Sequence, residues 1–210
     1  NIYIYGSDNS EIDISTNGTS YQSKDKRAAI HNGYSKGEII VNGGTINLST
    51  TTGHGISTWN GTTTLNSSQI NITTTGRDDS NGIDVMGGTT TLNSDTITIT
   101  TEDGDGINST GSATTSLNSN GVAITAGGSY GIYNTTGTLS LNTKGNNTIN
   151  VGSYDYGVHS TGSGQINIIA SVNANPDGWD KESMLGESEY SNNILTDGYG
   201  ISSSSSATIN

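Results

Sequence analysis

One stretch of this chain is written twice. NGIDVMGGTTTLNSDTITI, from Asn81 to Ile99, restates HGISTWNGTTTLNSSQINI, from His54 to Ile72, at an offset of 27 residues. No other feature constrains the fold as strongly, because a self-similar unit of this size stacks on its copies instead of folding alone. The pattern extends in both directions. A small residue followed by Ile or Val occurs at Ala29-Ile30, Gly55-Ile56, Gly82-Ile83, Gly106-Ile107, Gly131-Ile132, Gly157-Val158 and Gly200-Ile201, with successive gaps of 26, 27, 24, 25, 26 and 43 residues. Leu65, Leu92, Leu117, Leu141 or Ile166 follows within each repeat, and each of these is followed by Asn. A third element precedes the next anchor: Ile46/Leu48, Ile70/Ile72, Ile97/Ile99, Val122/Ile124 and Ile149/Val151.

The i, i+2 spacing of those pairs is strand periodicity, and no segment carries the i, i+3, i+4 pattern of a helix. Each repeat therefore reads as three short strands joined by Gly- and Asn-containing corners. Stacked at the ~4.8 Å inter-strand spacing, each Ile sits on its equivalent in the neighbouring coil. The predicted fold is all-β, a parallel β-helix with three-strand coils of about 25 residues. Its hand is expected to be right, as parallel crossovers almost always are. Residues 1–210 form a single solenoid of about eight coils, with 171–197 as an inserted loop. Asn66, Asn93, Asn118 and Asn142 fall in one column and predict an amide ladder at a corner. Pro176 lies in none of the repeated strands, as the ladder hydrogen bonds require. Strand-like residues at Ile2 and Ile4, and a new coil starting at SATIN (206–210), suggest a piece of a longer solenoid.

Composition supports a folded chain and is compatible with export. Only 12% of residues are charged, and the polar remainder is largely Gly, Ser, Thr and Asn. The absence of cysteine excludes a disulfide-stapled small domain. No run approaches the ~18 apolar residues of a membrane span. The first residues, NIYIYGSDNSEIDIS, lack the basic and apolar segments of a signal peptide, so any leader is expected to be already removed. A net charge of −12 and a pI near 4.2 argue against nucleic acid or anionic lipid as partner.

Interruptions of a regular repeat are where function is usually placed. Two fall between the third strand and the next anchor, at 17–27 and at 171–197; smaller expansions occur at 75–80 and 101–106. The 171–197 insertion carries six acidic residues and one lysine. Its candidate binding residues are Trp179, Asp180, Glu182, Glu187, Glu189 and Tyr190. It reads equally as a tolerated corner loop, since closure entropy grows slowly with length. A second candidate is aromatic. The residue preceding the anchor glycine is His54, Asn81, Asp105, Tyr130, Tyr156 and Tyr199 in turn. Tyr130, Tyr156 and Tyr199 form either an exposed strip for sugar rings or a partner protein, or a ladder packed against itself.

The chemistry of an enzyme is not assembled by this pattern. A glycosidase needs two carboxylates converging within ~5–9 Å. The column after each anchor, expected to point outward, reads His31, Ser57, Asp84, Asn108, Tyr133, His159 and Ser202, which leaves Asp84 without a carboxylate neighbour. Asp78, Asp79, Glu102, Asp103 and Asp105 lie on corners. DGDGINSTG from Asp103 fails the EF-hand loop, with Ile107 and Thr114 at ligand positions. His31, His54 and His159 are too far apart in the repeat for a metal cluster. No catalytic residue, metal or cofactor is assigned. Sequons at Asn17, Asn60 and Asn134 are expected by chance in so Asn-, Ser- and Thr-rich a chain.

Coils of the form Gly82-Ile83 … Thr91-Leu92-Asn93 … Ile97-x-Ile99, Cys-free and rich in Thr, Asn and Gly, resemble the passenger domains of autotransporter adhesins, most closely the self-associating type of Gram-negative bacteria. The resemblance covers roughly 1–170 and 198–210, and two-partner-secreted haemagglutinins and phage tailspikes share the style. It implies an extracellular, right-handed β-helix displayed on the outer membrane, mediating cell–cell aggregation, biofilm formation or host attachment. The partner would be a second copy on a neighbouring cell, or a host surface glycan or protein. The translocating barrel of such proteins is absent here, as expected of a passenger fragment. Alternatives are host glycan or matrix-protein binding through the 171–197 edge and, less favoured, a polysaccharide lyase, a glycosidase or a tailspike-like protein.

Overall fold

Among the described residues every strand pairing is parallel, and each strand lies beside its equivalent one repeat away. The computed structural model describes residues 1–17, 27–33, 36–76, 80–152, 156–170, 192–195, 199–204 and 206–210. Among these the regular elements are strands, which stack in three columns to make a parallel β-solenoid. The anchor face contains Ile30–Asn32, Ile56–Thr58, Ile83–Val85, Ile107–Ser109, Tyr130–Asn134, Tyr156–Ser160 and Tyr199–Ser203. The leucine face runs from Ile2–Tyr5 through Glu38–Asn42 and Thr62–Asn66 to Thr138–Thr143, Gln165–Ala170 and Thr208–Ile209. The third, or pair, face includes Glu11–Thr16, Thr45–Thr50, Gln69–Thr74, Asn147–Val151 and Asn192–Leu195. Two 13-residue strands, Thr89–Thr101 and Thr114–Ala126, turn the corner between leucine and pair faces without a break.

The register explains why the repeat is kept. Ile30, Ile56, Ile83, Ile107, Ile132 and Val158 are consecutive partners on the anchor face, which gives five regular turns between Ile30 and Val158. Leu65, Leu92, Leu117 and Leu141 stack on the second face, and Leu48, Ile72, Ile99, Ile124 and Ile149 on the third. All of these are buried, so a thin core is filled by columns of like side chains. The glycine before the anchors at Ile56, Ile83, Ile107, Ile132 and Val158 has a steric cause. A Cβ on Gly106 would lie 2.3 Å from Ile124 Cγ2 and 2.6 Å from the carbonyl oxygen of Gly131. At the corner between anchor and leucine faces, Gly61, Gly88, Gly111 and Gly162 take φ values of 87°, 71°, 61° and 60°, which L side chains rarely adopt.

Part of the interior is polar. Thr63, Thr90 and Thr115 point inward from the leucine face and meet Thr58 and Ser109 of the anchor face. Thr90 donates to Thr58 Oγ1 at 3.0 Å, and the Thr58 and Thr63 hydroxyls bond at 2.9 Å. Asn32 and Asn134 close the same seam by donating to the carbonyls of Gly37 and Gly137.

Three details of the sequence pattern are corrected. Ile168, not Ile166, continues the Leu141 column; Ile166 pairs with Leu139. Ile149 and Val151 stack on Ile124 and Ala126, which puts buried Asn147 against Val122. Both are slips of two residues, which keep every side chain on the same side of the strand and so leave the inward–outward pattern intact. The column after the anchor is also not uniformly exposed, since Ser57 and Asp84 are buried within it. Asp84 Oδ1 accepts from Asn81 Nδ2 at 3.1 Å and from Asn108 Nδ2 at 2.9 Å, which accommodates a buried carboxylate.

Candidate functional site

The column before the anchor glycine changes its chemistry half-way along the rod. In the early turns its side chains accept the backbone N–H of the next turn: Asn81 donates to His54 Nδ1, Asp105 to Asn81 Oδ1 and Tyr130 to Asp105 Oδ1, each at 2.9 Å. From Tyr130 onward the column is aromatic. Tyr130 and Tyr156 stack at 5.6 Å with 19° between planes, and Tyr156 and Tyr199 at 5.1 Å with 16°.

Two rings outside that column join it. Tyr133 lies 4.6 Å from Tyr130, and His159 lies 4.6 Å from Tyr156 and 5.7 Å from Tyr133. In the sequence Tyr133 and His159 belong to a separate column, the one that follows the anchor. The signal that unites them is the succession YGIY (130–133) and YGVH (156–159), in which the two residues between the rings both face the core and leave the rings side by side on the outside. Burial pushes the His159 imidazole below its ordinary pKa, against a weaker upward pull from a hydrogen bond with the Ser202 backbone.

This geometry limits what the aromatic group can bind. Tyr130 and Tyr156 turn their faces to one another and to their neighbours, each contact worth about 0.5–1.5 kcal/mol beyond burial. Tyr130 and Tyr156 are half-buried, and Tyr199 is 65% exposed. The group packs as a ladder along the rod.

Trp179, Asp180, Glu182, Glu187, Glu189 and Tyr190 lie outside the described residues, as does the rest of 171–191. The 17–27 interruption is described only at Asn17 and Arg27.

A second feature occupies the corner between leucine and pair faces. Asn66 Nδ2 donates to Asn42 Oδ1 at 2.6 Å, Asn93 to Asn66 at 2.7 Å, Asn118 to Asn93 at 2.7 Å and Asn142 to Asn118 at 2.9 Å. The predicted ladder exists and is one residue longer. Asn42 follows Val41 rather than Leu, so the Leu-Asn pattern passes it by. The ladder stops at Asn142 because Ile169 takes the next position. Beside the amides runs an open trough of ≈ 570 Å³ lined by Ser67, Ser94, Asp95, Ser119, Asn120 and Lys144 as well as the ladder itself. It adjoins a second hollow that continues toward Gly43, Asp8 and Gly6.

No family model matches the chain, and neither a curated protein nor a solved structure shows significant similarity to it.

Proposed function

We propose that this solenoid is the passenger region of a bacterial cell-surface adhesin, working by attachment rather than catalysis and taking a second copy on a neighbouring cell as its partner. The observation that carries this reading is the outer surface of the leucine face. Thr62 and Thr64, Thr89 and Thr91, Thr114 and Ser116, and Thr138 and Ser140 stand in register over four successive turns. They make two parallel columns of hydroxyls at the ~4.8 Å rung spacing. No charged side chain falls within the leucine-face segments 62–66, 89–93, 114–118 and 138–142, although the chain carries −12 overall. Each hydroxyl offers a weak hydrogen bond, and a long rod adds many of them at once. Two such faces are self-complementary, because a hydroxyl both donates and accepts. Aggregation, biofilm formation and host attachment are the outcomes such contacts would support.

Display of the chain on non-aggregating bacteria tests this. The unmodified chain settles the cells. A T62K/T89K/T114K variant, which adds like charges to one column, abolishes settling. Equal settling by both chains would remove the leucine face from the account.

A further inference from the structure

We infer that the asparagine-lined trough is a binding site for an uncharged linear glycan laid parallel to the solenoid axis. This surface and partner are separate from the self-association proposed for the leucine face.

The trough has the length and repeat of an extended polymer. The two adjoining hollows share Asn66, Ser67 and Asp95 and together run from Gly6 to Lys144. That path crosses six rungs, or about 24 Å at ~4.8 Å per step. Five of the six rungs present an asparagine, Asn42, Asn66, Asn93, Asn118 and Asn142, so a ligand with one recurring unit per rung meets an amide at each of these five.

The free valences specify hydroxyls. Each interior ladder amide spends one N–H and one oxygen lone pair on its neighbours, which leaves one donor and one acceptor per residue. Ser67 and Ser94 commit their protons to the carbonyls of Gln69 and Thr96, so their oxygens face the trough as acceptors. A row of alternating donors and acceptors suits a sugar's hydroxyls, each of which does both. An extended peptide is less well served. The backbone at this corner is already bonded between turns, through Gly43 N–H to Asn66 O, Ser67 N–H to Asn93 O and Asp95 N–H to Ser68 O.

Charge selects against anionic polymers. Asp8, Asp95 and Lys144 are the charged residues lining the two hollows, and Asn120 already donates to Asp95 Oδ1 at 3.0 Å. A trough with no cationic excess, on a chain of net charge −12, disfavours uronate, sulfated or phosphorylated chains.

The test is an NMR titration of the isotope-labelled chain with three neutral hexasaccharides, cellohexaose, xylohexaose and laminarihexaose, and with oligogalacturonate as the anionic comparison. At least one neutral sugar shifts the side-chain amides of Asn66, Asn93, Asn118 and Asn142, and oligogalacturonate shifts them less. Ser94→Trp fills the trough while leaving every ladder amide in place, and weakens binding at least tenfold with backbone signals elsewhere unmoved. The inference is overturned if no neutral sugar moves these amides, if oligogalacturonate binds more tightly, or if Ser94→Trp binds as well as the parent. It is also overturned if the same amides shift with protein concentration alone, since the trough then takes a second copy. None of these results bears on the leucine face, so the two readings fail separately.

Discussion

Asn118 and Asn93 sit one turn apart and are joined side chain to side chain at 2.7 Å, while Asn118 also accepts from Asn142 at 2.9 Å. One amide therefore ties three turns together. The bonds run in one direction along the corner, so each polarises the next. Asn118→Ala breaks two of them and lowers unfolding free energy by about 1–2 kcal/mol. Asn142→Ala, at the ladder's end, breaks one and costs about half as much. Urea titration of the two variants checks the ratio; equal costs would mean that the ladder contributes nothing beyond local packing.

The anchor glycines Gly55, Gly82, Gly106, Gly131 and Gly157 are predicted to be intolerant for a steric reason. Gly106→Ala drives a methyl into Ile124 Cγ2 and the Gly131 carbonyl, and overpacking of this kind costs about 1–3 kcal/mol. Gly152→Ala meets nothing within 4 Å and is close to neutral. Thermal melts of the pair separate a packing requirement from a general loss of backbone freedom, which would affect both.

His159 makes stability depend on pH. Its folded pKa is lowered by burial against the tyrosines, so the unfolded chain binds the proton more readily. The contribution is present above the unfolded value of 6.5 and is lost as pH falls through the folded pKa. His159→Gln therefore flattens the stability profile below pH 6.5 relative to the parent, and leaves it unchanged well above. A parent and variant with parallel profiles would contradict the assignment.

The sequence reveals the fold through spacing: Ile56, Ile83 and Ile107 could be aligned by eye, and the structure stacks them. It reveals register less well. Ile166 and Ile168 both point inward, so nothing in an alternating pattern decides which one follows Leu141. The aromatic group was half legible. Tyr130, Tyr156 and Tyr199 share a column, but the approach of Tyr133 and His159 to them is a three-dimensional fact that no column of the repeat states. Ser57 and Asp84 illustrate a further limit, since strand alternation predicts direction and does not predict what covers a face. The trough beside Asn93 and Asn118 arises where small corner residues of successive turns line up, and no single repeat contains it.

The proposed adhesion rests on uncharged contacts made against a net charge of −12, so association should strengthen as salt screens the repulsion. Sedimentation velocity of the purified chain, from micromolar to near-millimolar concentration and from low to physiological salt, measures this directly. The account predicts concentration-dependent dimers or larger species that grow with salt and disappear in T62K/T89K/T114K. A strict monomer throughout, or association that weakens as salt rises, would contradict it.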